Sequence, residues 1–139
     1  MKQLFVIGSI AVVGLFNSCE KTHFDTTASL KITLNTCKNP VISGNRISIC
    51  FDSLLTDGRC PVNMDCIWRG FAAGKFTFSA NGNIHQIRLA EISLRGFFPK
   101  DTIILGYKIE FLDLEPYPRT VPYPVPANKI KAEMKITKQ

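Results

Sequence analysis

The feature that most limits what this chain can fold into is a two-residue alternation of apolar and polar side chains. Ile130, Ala132, Met134 and Ile136 alternate with Lys129, Lys131, Glu133, Lys135 and Thr137. Successive side chains of a strand point to opposite faces, so such a segment buries one face and wets the other. Leu30, Ile32 and Leu34 repeat the pattern against Lys31, Thr33 and Asn35, and Ile47, Ile49 and Phe51 repeat it against Ser48, Cys50 and Asp52. The charged outer face of the last strand would oppose edge-to-edge aggregation. Beyond the N-terminal apolar run, no 3.6-residue periodicity of useful length occurs.

The remaining strands follow from the same rule. A third is expected from about Cys66 to Ala80, with Trp68, Gly70, Ala72, Gly74, Phe76 and Phe78 in one phase. Gly70 and Gly74 suggest a bulge or a close backbone approach. Asn81-Gly82 is a hairpin signal, because a type I′ turn needs positive φ at both central residues. It leads into a strand over about Asn83 to Glu91, where His85 shares the inward phase of Ile87 and Leu89. Strands over Thr102 to Leu105 and Tyr107 to Leu114 come next, and an apolar slip at Phe111 and Leu112 predicts a bulge. Pro116, Pro118, Pro122, Pro124 and Pro126 then make Glu115 to Ala127 an extended loop. Six or seven antiparallel strands in about 110 residues predict an all-β fold, a disulfide-stapled β-sandwich, with a small β-barrel as the alternative.

The N-terminus has a different composition. Lys2 precedes the apolar run Leu4 to Phe16, which ends in Asn17-Ser18-Cys19. That run is too short to span a hydrocarbon core of roughly 30 Å, and a small residue directly before Cys marks lipoprotein processing. The expected organisation is a lipoprotein signal peptide over residues 1–18, a lipidated tether over 19–28 and the sandwich over 29–139. Lipid on Cys19, palmitate among its acyl chains, would hold the domain on a bacterial envelope membrane. Glu20 after the Cys favours the outer membrane. The net charge of +6 fits a solvated surface, and an exported lipoprotein is not expected to meet nucleic acid.

With Cys19 acylated, Cys37, Cys50, Cys60 and Cys66 remain in an oxidising compartment. Four cysteines allow three connectivities. Proximity in sequence favours Cys37 with Cys50 and Cys60 with Cys66, and the strand phase puts the first pair outside the main core. Neither the C-x₅-C spacing nor His23 and His85 make a metal-ligand pattern, so no metal and no cofactor is expected.

The densest segment is Asp57-Gly58-Arg59-Cys60-Pro61, followed by Val62-Asn63-Met64-Asp65 and Cys66-Ile67-Trp68-Arg69-Gly70. It resembles a pattern of small secreted and lipoprotein domains of unassigned function, Asp-Ser-Arg-Cys-Pro and then Cys-x-Trp-x-Gly. Gly58 stands where that pattern has Ser, and Arg69 where it has Ala. The resemblance implies no activity. Physically, the segment is a stapled turn that leads into a core strand, with Trp68 supplying a large buried area. Its alternative role is a rigid recognition tip displaying Arg59, Asn63, Met64 and Asp65.

Phe97, Phe98, Tyr117 and Tyr123 fall in loops, where they either cover the sandwich ends or meet a partner. For catalysis, His23 lies in the tether and His85 reads as structural; Asp52, Asp57, Asp65 and Glu91 are the carboxylates that could pair in space. Asp25-Thr26-Thr27, Asp52-Ser53-Leu54 and Asp101-Thr102-Ile103 match a short bacterial O-glycosylation pattern. The expectation is a non-catalytic binding or structural module of the envelope, its partner an envelope protein or a glycan. The alternatives are a secreted enzyme inhibitor or carbohydrate-binding module, and below these a hydrolase.

Overall fold

The alternating segments become strands that share one core. A computed structural model describes residues 25–94, 96–119 and 125–139. The signal segment, Cys19 and Tyr123 lie outside the described residues. Among these residues there are nine strands: β1 Thr27–Thr33, β2 Thr36–Lys38, β3 Val41–Ile42, β4 Asn45–Asp57, β5 Ala72–Ala80, β6 Asn83–Ala90, β7 Asp101–Ile104, β8 Tyr107–Glu115 and β9 Lys131–Lys138. The count exceeds six or seven because β2 and β3 are short strands within a stretch that reads as turns. β1 starts at Thr27, inside the segment assigned to the tether, and Ala28 already packs against the core.

Two antiparallel sheets, ordered β1-β9-β8-β7 and β2-β4-β5-β6 with β3 also on β4, face each other without closing into a barrel. The fold is a β-sandwich. The core forms where the inward phases meet: Ile32, Phe111, Met134 and Ile136 from one sheet against Ile49, Phe51, Phe76 and Phe78 from the other. Rings of opposite sheets meet edge to face, Phe76 with Phe111 at 5.4 Å and Phe78 with Tyr107 at 5.6 Å. This is the preferred geometry for aromatic quadrupoles.

Bulges and turns set the register. The β8–β9 ladder shifts between Phe111 and Asp113, where the apolar phase slips, and β4 shifts against β5 between Phe51 and Ser53 and again between Leu54 and Thr56. Asn81 and Gly82 both have positive φ and close the β5–β6 hairpin. Leu105 and Gly106 do the same between β7 and β8, although Leu105 carries no turn signal in sequence. The strand placed over Thr102 to Leu105 therefore spans Asp101–Ile104.

Three strand expectations need correction. The third strand begins at Ala72, not Cys66, because Gly70 takes φ +67 and breaks the extended chain before it. Within Ala72–Ala80 the assigned phase is buried as expected. β9 is no edge strand: it lies between β1 and β8, and its outer charges pair across the sheet, Glu133 opposite Lys31 and Lys135 opposite Glu110. His85 is exposed although Ile87 and Leu89 are buried. β6 is the last strand of its sheet, and its first four residues are exposed whatever their phase.

Candidate functional site

Antiparallel pairing sorts the connections to two ends of the sandwich. At one end sit the turns Ser43-Gly44, Asn81-Gly82 and Leu105-Gly106. Both described chain ends are here as well: Asp25 accepts a bond from Ser43 N–H at 2.9 Å, and Gln139 N–H donates to Gly106 O at 2.9 Å. We call this the entry end. Strand β4 runs away from it for 13 residues, roughly 40 Å at strand rise. At the far end, the loop end, lie the connection from Asp57 to Ala72, the start of the β6–β7 connection, and the chain beyond Glu115.

Arg59 ties these three connections together. Only 4% of it is exposed. Its guanidinium grips Asp57 in a two-bond fork, Nε to Oδ1 at 2.7 Å and Nη2 to Oδ2 at 2.8 Å. It also donates to Leu114 O at 2.5 Å and to Pro116 O at 3.0 Å, and it lies 4.7 Å over the Tyr117 ring. One side chain thus joins the end of β4 to the end of β8 in the opposite sheet. Glu91 and Asp113 stand at 3.8 and 3.6 Å from Nη1. Burial works against the Arg59 charge, but the bond and charge of Asp57 outweigh it and raise its pKa. Burial pushes the Glu91 carboxyl above its ordinary range against the pull of Arg59, with Asp113 adding to the rise.

The loop beyond is braced at both flanks. Gly58 N–H donates to Phe71 O at 2.9 Å and Cys60 N–H to Arg69 O at 2.7 Å, so the two limbs run as a pair. A Cβ on Gly70 would sit 1.8 Å from Gly58 O. Glycine is required there by that approach and by its φ. Cys60 is bonded to Cys66, and Cys37 to its cross-strand partner Cys50. Both pairs are the ones favoured by sequence proximity, and Cys37 is exposed as its phase implies. Val62 N–H donates to Pro118 O at 3.2 Å, joining the loop to the proline-rich segment.

Of the residues expected to be displayed, Asn63, Met64 and Asp65 are exposed. Arg59 is not, because the fork to Asp57 and the two carbonyls hold it inside. Trp68 is also placed differently from its expected role in the core. It is 56% exposed and touches Phe71 edge to face at 6.3 Å, since the strand that would have turned it inward starts after it. Val62 and Met64 in the same connection are exposed as well, and Ile67 is fully so. Neither Val62 nor Ile67 was singled out in sequence; their signal was their place within and just after a short disulfide ring, where no core can be reached. Phe97 and Tyr117 are exposed and Phe98 is half-buried, all on loop-end connections.

Two of the four carboxylates come together, and they do so around Arg59. Asp57 and Glu91 face Arg59, Asp52 accepts a bond from the Thr77 hydroxyl at 2.7 Å, and Asp65 stands in solvent. A cleft of about 220 Å³ opens beside the clamp among Leu54, Leu114, Pro116, Val125 and Ile130, with Asp57 and Glu115 also lining it. The described residues hold no cluster of His, Cys, Asp or Glu suited to a metal ion, and no described helix is long and apolar enough to cross a membrane. Compared with known proteins, the chain matches no family model, no curated protein and no solved structure.

Proposed function

We propose that this chain is a lipid-anchored bacterial envelope protein that works as a non-catalytic binding module, with the loop end as its recognition surface. The observation that carries the reading is the segregation of the two ends. The entry end holds short turns, with Val41, Ile84 and Ile103 exposed on the strands beside them, and the loop end collects the long connections, which carry the exposed apolar residues Val62, Met64, Ile67, Trp68, Phe97 and Tyr117. Binding residues concentrate on loops held by a rigid scaffold, and the Arg59 clamp with the Cys60–Cys66 bridge supplies that rigidity.

The anchor fits the same geometry. From Cys19 to Asp25 the chain reaches at most roughly 20 Å when fully extended, less than the long dimension of the sandwich. A domain held at its entry end therefore keeps its loop end turned away from the membrane that carries the lipid, or lies flat on it. The resemblance of the Asp57 to Gly70 segment to secreted and lipoprotein domains agrees with an exported module. An enzyme inhibitor is the second reading, favoured by the disulfide-closed Cys60–Cys66 loop and the exposure of Asn63, Met64 and Asp65 on it.

The test has two parts. Peptide mass spectrometry of protein from its native membrane should find acyl mass on Cys19; an unmodified N-terminus removes the anchor. Partner capture from whole cells should be lost when Trp68 and Tyr117 are both changed to Ala and kept when the entry-end residues Asn83 and His85 are changed. The reverse pattern refutes the assignment of the surface.

A further inference from the structure

The edges of the two sheets are not alike. β2 and β3 are three and two residues long, with Lys38 and Pro40 beside them. β7 is four residues long and follows Pro99-Lys100. β1 exposes Lys31, and bonds from Ser43 N–H to Asp25 O and from the Thr36 hydroxyl to Thr33 O tie it at either end. Short length, charge and proline keep such edges from pairing with another chain. β6 has none of them in its first half. It runs eight residues in unbroken register with β5, holds no proline, and has Arg88 as its first Lys, Arg, Asp or Glu.

The phase of the β6 backbone follows from its turn. Asn81-Gly82 makes Ala80 and Asn83 a bonded pair, so Asn83, His85, Ile87 and Leu89 bond β5, while Ile84, Gln86, Arg88 and Ala90 turn their N–H and C=O groups outward. Ala90 N–H accordingly leaves the sheet for Pro99 O at 2.9 Å, and Glu91 N–H returns to Ala72 O at 3.1 Å. Among the described residues, no strand lies beyond β6 and no loop bond meets the outward groups of Ile84, Gln86 and Arg88. All three residues are exposed, Ile84 at 71%.

We propose that this edge pairs with the same edge of a second copy of the chain, antiparallel about a two-fold axis at Gln86. Outward groups then meet outward groups, with Gln86 facing Gln86 of the copy and Ile84 facing Arg88 in both directions. This register alone engages all three residues without help from the turn. An axis at His85 calls on Gly82, and an axis at Ile87 calls on Ala90, whose N–H is already bonded to Pro99 O. Charge permits the pairing. Each Arg88, with Lys75 beside it on β5, stands across from Ile84, and the two arginines lie about 13 Å apart along the strands. That is beyond the screening length of about 8 Å at physiological salt. The aliphatic stem of Arg88 can cover Ile84. A second copy is the occupant because one self-complementary strand supplies both halves of the contact.

The contact is independent of the loop end, but it bears on how the domain sits. Antiparallel pairing sends the two entry ends in opposite directions. With a lipid on each copy, the pair lies with its strands along the membrane, the flat one of the two orientations that the tether allows.

The test uses the full chain in its native cells, with one added cysteine at position 84, 85, 86, 87 or 88 in separate strains. Opposed Cα atoms at the axis stand about 5.5 Å apart, within disulfide reach, whereas positions 84 and 88 each lie about 13 Å from their own equivalents. Gln86→Cys is expected to give the highest yield of disulfide-linked dimer. Ile84→Cys and Arg88→Cys should link only when expressed together. Mass spectrometry of the linked peptides, with Cys37–Cys50 and Cys60–Cys66 intact, controls for folding and disulfide exchange. For the purified chain in detergent, sedimentation should show a monomer–dimer equilibrium. Its dissociation constant should rise about fivefold with Gln86→Lys or Gln86→Glu alone and recover when the two variants are mixed.

A chain that stays monomeric up to about 1 mM overturns the proposal. So does equal linking at every position, a highest yield away from position 86, a linked protein other than this chain, or a dissociation constant indifferent to both charge variants. The loop-end reading is tested separately at Trp68 and Tyr117, so it stands or falls apart from these results.

Discussion

Replacing Arg59 by Met keeps most of its volume and deletes its charge, which isolates the clamp from a simple cavity effect. The change leaves Asp57, Glu91 and Asp113 facing one another without the cation between them, and it strands Leu114 O and Pro116 O. Breaking a buried ion pair from one side costs about 3–5 kcal/mol, because the remaining charge stays desolvated. The Asp57 side chain is 23% exposed and Asp113 is 51% exposed, so water recovers part of that loss and the lower half of the range applies. At roughly 4 °C per kcal/mol for a domain near this size, Tm should fall by about 12–16 °C.

Arg59→Lys keeps a charge but loses the planar fork and should fall between the variant and the parent. Urea titration followed by circular dichroism measures both, with disulfide mapping to show that the Cys60–Cys66 bridge has formed. The Arg59→Met loss should also shrink on acidification, since protonating Glu91 removes one of the uncompensated charges. A variant whose Tm stays within about 3 °C of the parent would refute the reasoning, and the two sheets would then be joined at the loop end by packing alone.

Glu91→Gln should flatten the stability profile between neutral pH and 4.5. The folded-state carboxyl titrates above its ordinary value, so the parent gains stability as pH falls through that window and the amide variant does not; urea midpoints across the range check this. Gly70→Ala should cost more than 2 kcal/mol, from the clash with Gly58 O together with its φ, whereas Gly82→Ala, whose Cβ meets nothing within 4 Å, should cost about 1 kcal/mol by calorimetry. Replacing Cys60 and Cys66 together by Ser should lower unfolding free energy by about 2–3 kcal/mol while β-sheet circular dichroism is retained. The same change should weaken partner binding more than its stability cost alone requires, since the loop loses its closed conformation.

The strands were legible because alternation is a local property: once one phase is apolar, burial of that face decides the side chains from Leu30 to Ile136 without knowledge of the partner strand. The hairpin at Asn81-Gly82, the bulge near Leu112 and the pairing of near neighbours among the cysteines were readable for the same reason. What was not legible depends on distant residues. Leu105 takes a left-handed turn conformation because β7 and β8 are held in register around it. His85 has the inward phase yet meets solvent, because it lies in the exposed first half of β6, the last strand of its sheet.

The site divides along the same line. Its chemistry, a short disulfide ring holding Val62 and Met64 and followed by Ile67-Trp68, between an Asp-x-Arg and a glycine, stands in the sequence between Asp57 and Gly70. Only the tertiary structure turned Arg59 inward and Trp68 outward. An arginine is buried when acceptors from separate parts of the chain converge on all sides of it, here Asp57 with the carbonyls of Leu114 and Pro116. A tryptophan is left exposed when the chain that carries it closes before reaching the core. Sequence alone thus determined the strands, their inward faces and the staple. The arrangement of long loops at the end opposite the chain's entry was decided by the pairing of the two sheets, because antiparallel register sets which end each connection must occupy.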